Sequence, residues 1–260
     1  MFPPVVRLGP LHVAWSSISL VVGLAAGVAW LCWRAKTPER RWRDTLRLVI
    51  DTYGPVGLVA VVVGRLVYVL VQGSYFIEHP AEALVVWQGG ISAQGAVLGL
   101  LLGLSWRFRT WPTWLRAADA LTAPVVLVLL AGWLSCGLAG CAYGPLVDVG
   151  RQPWLAAFDW PDLYGVVAPR VPVQLVGVVV SLVCLLWCLW LARRYSAPGI
   201  LFSSALLALS LADLGLQALR ADEMLRVAGL RLGAWGDVGL AVVAVVLGVA
   251  ARRNGQGIQG

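Results

Sequence analysis

Residues 173–191 read VQLVGVVVSLVCLLWCLWL, a stretch of 19 residues that contains no charged side chain. An α-helix needs about 20 mainly apolar residues to cross a hydrocarbon core of ~30 Å. A strand of a membrane barrel alternates apolar and polar residues, whereas this stretch is continuously apolar. The stretch therefore predicts a transmembrane helix.

Six other stretches have the same character: Ala14–Trp33, Gly54–Gln72, Ile91–Trp106, Leu121–Tyr143, Ile200–Leu219 and Leu232–Ala250. The composition agrees, because 60% of the residues are hydrophobic, only 13% are charged and the mean hydropathy is +0.81. A soluble domain needs more polar surface than this. We therefore predict an all-α integral membrane protein with a bundle of seven transmembrane helices. Residues 1–253 form one polytopic domain in this prediction, and residues 254–260 form a disordered cytoplasmic tail.

The basic residues orient this predicted bundle. Thirteen of the 20 Lys and Arg residues fall in four segments on one side, at Arg34–Arg47, Arg107–Arg116, Arg193–Arg194 and Arg252–Arg253. Loops rich in Lys and Arg stay in the cytoplasm, so the prediction puts the N-terminus outside and the C-terminus inside. The net charge of +7 then reflects topology and anionic lipid rather than binding to nucleic acid.

A long outer loop at residues 145–172 is predicted to form a small extracytoplasmic cap at the membrane surface. It contains Trp154, Trp160 and Tyr164. Its tryptophans are equally typical of anchors at the membrane interface, so both interpretations stay open.

The five cysteines lie within the predicted spans, at positions 32, 136, 141, 184 and 188. No two of them form a Cys-x-x-Cys motif, and pairs spaced by four or five residues on a regular helix are too far apart to bridge easily. We therefore expect free, structural cysteines, no disulfide framework and no metal site.

Small residues recur at every fourth position in two spans. Gly95, Gly99 and Gly103 do so on the third span, and Gly132, Cys136, Gly140 and Gly144 on the fourth. Small residues at this spacing let helix backbones approach closely, which predicts that these two helices pack together.

Polar side chains inside the predicted spans mark a candidate site, because ionisable groups are costly in a bilayer. Arg65 lies ten residues into the second span with Tyr68 and Gln72 on the same face, and Asp213, Gln217 and Arg220 repeat this spacing on the sixth. Gln94 and Gln174 begin the third and fifth spans. These residues predict a polar cavity in the outer half of the bilayer. Alternatively, Arg65 pairs with Asp213, and the glutamines serve only as interhelical hydrogen-bond partners.

Several segments, in this order, resemble the prolipoprotein diacylglyceryl transferase family. They are Leu8–Pro10 (LGP), Val63–Leu70 (VGRLVYVL), Pro80–Val86, Trp87–Ser92 (WQGGIS), Gly140–Gly144 (GCAYG) and Arg170–Leu175 (RVPVQL). The resemblance covers nearly the whole chain and implies a bacterial-type plasma membrane. It also implies transfer of diacylglyceryl from phosphatidylglycerol to the cysteine thiol of a lipoprotein signal peptide. Membrane phospholipid and the signal peptide are the implied partners, with no metal or organic cofactor.

The chain departs from the family's pattern where chemistry is expected. Gln94 replaces a histidine, Gly132–Cys136 (GWLSC) lacks an arginine and an asparagine, and Gly177 replaces a glutamate. Asp213 and Gln217 replace an arginine and a glutamate, while Ser16 takes the place of a tyrosine; Arg65 and Arg220 are retained. The family resemblance suggests Gln94, Arg65 and Arg220 as catalytic candidates. The substrate-binding candidates are Arg65, Tyr68, Gln88, Gly89, Gly90, Gln94, Tyr143, Gly144, Arg170, Gln174, Asp213, Gln217 and Arg220.

Three functions are compatible with this pattern. The first is a divergent member that binds phosphatidylglycerol or lipoprotein precursor with altered or lost catalysis. The second is an active transferase that uses Arg65, Arg170 or Arg220 on the phosphate. The third is a transporter or accessory membrane subunit.

Overall fold

The computed structural model describes residues 5–8, 11–86, 89–148, 150, 157–195 and 197–256. The described residues are mainly α-helical, with short hairpins before the first helix and between later helices. The elements follow in the order β1 (Val5–Leu8), β2 (Leu11–Ala14), α1 (Trp15–Ala35), α2 (Trp42–Val71), α3 (Gly73–Glu78), a 3₁₀ turn (Pro80–Leu84), α4 (Ala93–Arg107), α5 (Trp111–Ala139), β3 (Phe158–Pro161), β4 (Val167–Arg170), α6 (Val173–Arg194), α7 (Ile200–Leu219), β5 (Arg226–Val227), β6 (Leu230–Arg231) and α8 (Leu232–Gln256).

Six of the helices in the described residues are long and apolar enough to cross a membrane: α1, α2, α5, α6, α7 and α8. The remaining predicted span corresponds to α4, which has only 15 residues. At a rise of 1.5 Å per residue, α4 is about 22 Å long, which is less than the hydrocarbon thickness. The polytopic helical architecture is therefore confirmed, whereas the seventh crossing stays a prediction.

Two helices extend well beyond the predicted spans. Helix α2 begins at Trp42 rather than Gly54, and α5 begins at Trp111 rather than Leu121. Hydropathy marks the apolar part of a helix, but the helix itself continues through charged residues that face water. At the other end of α2, Arg65 lies six residues from the last helical residue, at roughly 9 Å along the axis.

The chain divides into two compact units. One comprises Leu31–Ala120, and the other comprises Met1–Trp30 with Leu121–Gly260. In the first unit, the glycine face of α4 packs on α2. A Cβ at Gly95 would lie 2.7 Å from Cβ of Val67, and one at Gly99 would lie 2.7 Å from Cα of Ala60. The predicted partner of this glycine face was wrong, because the face lies against α2. Helix α5 ends at Ala139, so Gly140 and Gly144 of the second series lie outside a helix.

In the second unit, α7 packs against both α6 and α8. Its apolar core contains Val126, Cys184, Cys188 and Ala205. Small residues again allow close approach: a Cβ at Gly27 would lie 3.3 Å from Cβ of Pro124 on α5.

Two hairpins of this unit prove important for the site. Strands β3 and β4 pair antiparallel with Phe158 opposite Arg170. Strands β5 and β6 form a second, very short hairpin with Arg226 opposite Arg231. The turn of the second hairpin contains Ala228 and Gly229, both with positive φ, at 49° and 81°.

Cys136 and Cys141 form a disulfide, contrary to the prediction of free cysteines. The prediction assumed that both residues lie on a regular helix. However, α5 ends at Ala139, and Gly140 adopts a left-handed conformation with φ of 74°. This turn brings the two Cα atoms to 4.7 Å, which lies within the range for disulfides. Cys32, Cys184 and Cys188 are free and buried.

Candidate functional site

The guanidinium of Arg65 is buried and donates to four backbone carbonyls within its own unit. Nε donates to Ala83 at 3.0 Å and Nη2 to Glu82 at 2.6 Å. Nη1 donates to Gly89 at 2.6 Å and Gly90 at 2.9 Å. An arginine has five N–H donors in total, so four of them hold the segment that follows α3.

Aromatic rings surround the same guanidinium. Its central carbon lies 5.5 Å from the ring centroid of Tyr68 and 5.4 Å from that of Phe76, which is within cation–π range. Gly90 has φ of 73°, and a Cβ there would lie 2.5 Å from the Tyr68 ring and 2.7 Å from Nη1 of Arg65. Arg65, Tyr68, Gly89 and Gly90 therefore lie close together, and their role in binding stays a prediction.

Helix α4 begins beside this cluster. Ser92 is its N-cap, and the hydroxyl of Ser92 accepts a hydrogen bond from the amide of Gly95 at 3.2 Å. The amide of Ser92 donates to the carbonyl of Gly64 at 3.1 Å, so the start of α4 is tied to α2 one residue before Arg65. Gln94 thus lies in the first turn of α4. Gln88 lies outside the described residues, so its assignment stays a prediction.

A buried ion pair organises the hairpin in the second unit. Nη2 of Arg170 lies 2.7 Å from Oδ2 of Asp162, and each side chain is only 8% exposed. The other oxygen of Asp162 accepts from the amides of Tyr164 and Val166, both at 2.9 Å. The guanidinium also lies 4.8 Å from the ring centroid of Tyr143. Burial raises the pKa of the Tyr143 phenol, so the group stays neutral and keeps its proton.

Gln174 and Gly144 fix the start of α6 against the same segment. Nε2 of Gln174 donates to the carbonyl of Cys141 at 2.9 Å, and the side chain is 2% exposed. Gly144 is buried, and a Cβ there would overlap the carbonyl oxygen of Val171. Both residues therefore have a packing role in addition to their predicted role in binding.

A second charged network lies at the end of α7. Arg220 binds both oxygens of Asp222, at 2.9 and 2.7 Å, and Nη2 of Arg231 reaches Oδ1 at 3.0 Å. Arg231 also donates to Oε1 of Gln217 at 3.2 Å, and Gln217 donates to Asp213 at 3.3 Å. The formal charges of the two arginines and two aspartates cancel.

Electrostatics favours the ionised form of Asp222. Burial alone would raise the pKa of Asp222, but the hydrogen bond and positive charge of Arg220, together with the charge of Arg231, outweigh it and hold the pKa below its ordinary value. Burial lowers the pKa of Arg231, although Asp222 opposes this shift. Asp222 is therefore a permanent counter-ion at neutral pH.

Tyr143 connects the Asp162–Arg170 ion pair with the charged network at the end of α7. Its ring lies beneath Arg170, while its carbonyl accepts a hydrogen bond from the amide of Ala221 at 2.9 Å. The candidates Tyr143, Gly144, Arg170 and Gln174 are therefore brought together with the network of Asp213, Gln217 and Arg220.

The sequence interpretation missed three residues of this site: Asp162, Asp222 and Arg231. The β3–β4 hairpin brings Asp162 next to Arg170, and the β5–β6 hairpin brings Arg231 next to Asp222 and Gln217. Asp222 carried a weak signal, because it follows Arg220 by two residues outside the apolar span. In the described part of the chain, no group of three or more His, Cys, Asp or Glu residues is placed to hold a metal ion.

Comparison with known proteins decides the family. The model of the prolipoprotein diacylglyceryl transferase family matches residues 3–250. The chain belongs to this family. Together with the apolar helices, this confirms the predicted family resemblance and identifies a multi-pass protein of the bacterial inner membrane.

Relatives support the same conclusion. A phosphatidylglycerol–prolipoprotein diacylglyceryl transferase of Coxiella burnetii is 33% identical and covers 79% of this chain and 76% of its own length. Enzymes of the same name in Burkholderia multivorans and Solidesulfovibrio magneticus are 28% and 34% identical, covering 97% and 73% of this chain and 95% and 69% of their own lengths. Arg65 and Arg220, the two arginines that the resemblance marks as retained, bind backbone carbonyls and Asp222, respectively.

Proposed function

We propose that this transferase-family protein binds an anionic phospholipid, phosphatidylglycerol by family analogy, or a lipoprotein precursor. In this proposal, diacylglyceryl transfer is altered or lost. Membership of the transferase family supports lipid binding, and the internal compensation of the arginines supports altered or lost transfer. Arg65 donates to carbonyls, Arg170 pairs with Asp162, and Arg220 and Arg231 share Asp222.

Diacylglyceryl transfer requires free cationic groups and a base, and the arrangement of Arg65, Arg170, Arg220 and Gln94 supplies both poorly. A phosphodiester needs cations with donors directed at its oxygens, and the attacking thiol must lose its proton. The guanidinium groups already bind acceptors of the protein itself. Gln94 can donate and accept hydrogen bonds, but an amide does not act as a base near neutral pH. A site that keeps the family's scaffold but lacks its base fits binding better than turnover.

An active transferase is the second candidate, and two observations favour it. The family match runs over nearly the whole chain, and the relatives carry the name of the active enzyme. In addition, the side chain of Arg220 keeps 17% exposure, so one edge of the network is open to a ligand. In this candidate, Arg220 contacts the phosphate while Asp222 holds its guanidinium in place.

For membrane topology we propose seven crossings, with α4 as the short third one, the N-terminus outside and the C-terminus inside. The excess of Lys and Arg in the predicted cytoplasmic segments supports this arrangement. One polytopic domain then extends to the end of α8 at Gln256, which corrects the predicted tail starting at residue 254, and residues 145–172 cap its outer surface.

The deciding experiment combines binding and turnover on the same preparation. The purified protein is placed in nanodiscs with labelled phosphatidylglycerol and a cysteine-containing lipoprotein signal peptide. The proposal expects stabilisation by phosphatidylglycerol, none by phosphatidylcholine, and no lipidated peptide by mass spectrometry. Lipidated peptide at rates comparable with a relative's enzyme would establish the second candidate instead.

A gain-of-function variant sharpens this test. Gln94→His restores an ionisable ring at the position where the family carries histidine. Under the proposal, this variant raises peptide lipidation above that of the wild type. Gln256→His, at the end of α8, introduces the same ring elsewhere and is the matched control, which we expect to have no effect.

A further inference from the structure

Two bonds close the turn that follows α5: a backbone hydrogen bond and a disulfide. The amide of Cys141 donates to the carbonyl of Cys136 at 3.0 Å, and the two side chains form the disulfide. Gly140 and Ala142, both with positive φ, flank Cys141. Positive φ at a non-glycine residue such as Ala142 is costly, so surrounding contacts must hold this turn.

Other parts of the second unit attach to this turn. Gln174, at the start of α6, donates to the carbonyl of Cys141. Nε1 of Trp160, on β3, donates to the carbonyl of Gly137 at 3.1 Å. Two residues after Cys141, Tyr143 supports Arg170 and accepts the amide of Ala221. The bridged turn is therefore the point where α6, the β3–β4 hairpin and the segment after α7 converge.

We propose that the Cys136–Cys141 disulfide is a redox-sensitive lock that positions Tyr143 and Arg170 and forms only outside the cytoplasm. Disulfides persist in oxidising compartments and are rare in the bacterial cytosol. This assignment of the end of α5 to the outer side is independent of the charge distribution. The effect of the lock on lipid binding rests on the proposed function.

Formation of the lock is an ordinary exchange reaction. Two cysteine thiols become one S–S bond, lose two protons and pass two electrons to a protein disulfide donor of the outer compartment, which is left as a dithiol. A dithiol or phosphine reductant reverses the reaction. The remaining cysteines take no part, because Cys32, Cys184 and Cys188 are buried in the helices α1 and α6.

The first test counts thiols in the protein purified from bacterial membranes. The unreduced protein is denatured and alkylated, then analysed by mass spectrometry. We expect three alkylated cysteines before reduction and five after it, with Cys136 and Cys141 in one cross-linked peptide. Five alkylated cysteines without reduction would overturn the proposal.

The second test measures what the lock does. Hydrogen exchange of residues 157–171 and phosphatidylglycerol binding are followed before and after reduction. We expect faster exchange and about tenfold weaker binding after reduction, the loss expected for one buried hydrogen-bond anchor such as that of Gln174. The variant Cys136→Ser with Cys141→Ser should resemble the reduced protein and be insensitive to reductant. Cys184→Ser with Cys188→Ser is the matched control and should respond like the wild type.

The two readouts separate this inference from the proposed function. If exchange accelerates on reduction although the oxidised protein binds no lipid, the lock is upheld and the proposed function fails. If neither exchange nor binding changes on reduction, the bridge does not position the site and the inference is rejected.

Discussion

Asp162 and Arg170 form a buried ion pair with an N–O distance of 2.7 Å, in which each side chain is 8% exposed. The pair joins the two ends of the β3–β4 hairpin, since Asp162 directly follows β3 and Arg170 ends β4. Asp162 also accepts two backbone amides of the turn, so one carboxylate fixes both the loop and the arginine. The position of Arg170 over Tyr143 therefore depends on Asp162.

Removing only one partner of this pair should lower the free energy of unfolding more than removing both. We expect Asp162→Ala to lower the free energy of unfolding by about 3 kcal/mol, because it leaves a buried guanidinium without its counter-ion. Asp162→Ala with Arg170→Met should recover part of this loss. Chemical unfolding in detergent micelles measures both values. Equal costs for the single and double variants would show that the charge of Arg170 is hydrated, contrary to this account.

Arg65 should be essential for folding because it serves four carbonyls. We expect Arg65→Leu to reduce the free energy of unfolding by about 3 kcal/mol or more. Arg65→Lys should recover little, since an ammonium has three donors and lacks the planar fork. Thermal unfolding with and without Asp213→Leu provides the decisive comparison. Rescue of Arg65→Leu by Asp213→Leu would support the predicted Arg65–Asp213 pair; the observed bonds to carbonyls predict no rescue.

The sequence predicted well those features that depend on hydrophobicity alone. Ile200–Leu219 was predicted with both ends correct, because polar or turn-forming residues bound that apolar run. The start of α2 was misplaced by 12 residues, since helices continue through Arg43, Asp44 and other charged residues outside the lipid. Apolar patterns therefore locate the membrane along the chain and do not locate the ends of its helices.

The site was only partly predictable for two physical reasons. The partners of Arg65 are backbone carbonyls, which every residue has and which no residue pattern marks. Arg231 and Asp222 meet because the β5–β6 hairpin folds back, which depends on a four-residue segment of ordinary composition. The disulfide did have a signal, because Gly140 between the two cysteines favours the end of a helix.

Low pH should selectively remove the contribution of Asp222 to the stability of the folded protein. Its pKa is lower in the folded state than its ordinary value, so its contribution is present above the unfolded pKa of about 3.9 and is lost as the pH falls through the folded value. We expect Asp222→Asn to have a lower melting temperature than the wild type at pH 7. The difference in melting temperature should disappear below about pH 4. Glu223→Gln, next to it and exposed, is the control. A gap that stays constant with pH would contradict the ion pairs of Asp222.

Two glutamates that the proposed topology puts on opposite sides of the membrane provide a test of it. Glu39 lies in the basic segment after α1, and Glu223 lies after α7; both are exposed. In spheroplasts, an impermeant maleimide should label Glu223→Cys directly but Glu39→Cys only after permeabilisation. The parent protein is the background control, because its free cysteines are buried. Labelling of Glu39→Cys in intact spheroplasts would reverse the orientation.

Substitutions at two neighbouring glycines beside Arg65 distinguish the cost of backbone strain from the cost of steric overlap. Gly89 and Gly90 both have positive φ, at 94° and 73°. A Cβ at Gly89 meets nothing within 4 Å, whereas one at Gly90 would displace the ring of Tyr68 and Nη1 of Arg65. Gly89→Ala should therefore cost about 1–2 kcal/mol from backbone strain alone, and Gly90→Ala should cost clearly more. Unfolding of the two variants side by side measures the difference. Equal costs would mean that the Tyr68 and Arg65 side chains move aside freely, which the four hydrogen bonds of Arg65 oppose.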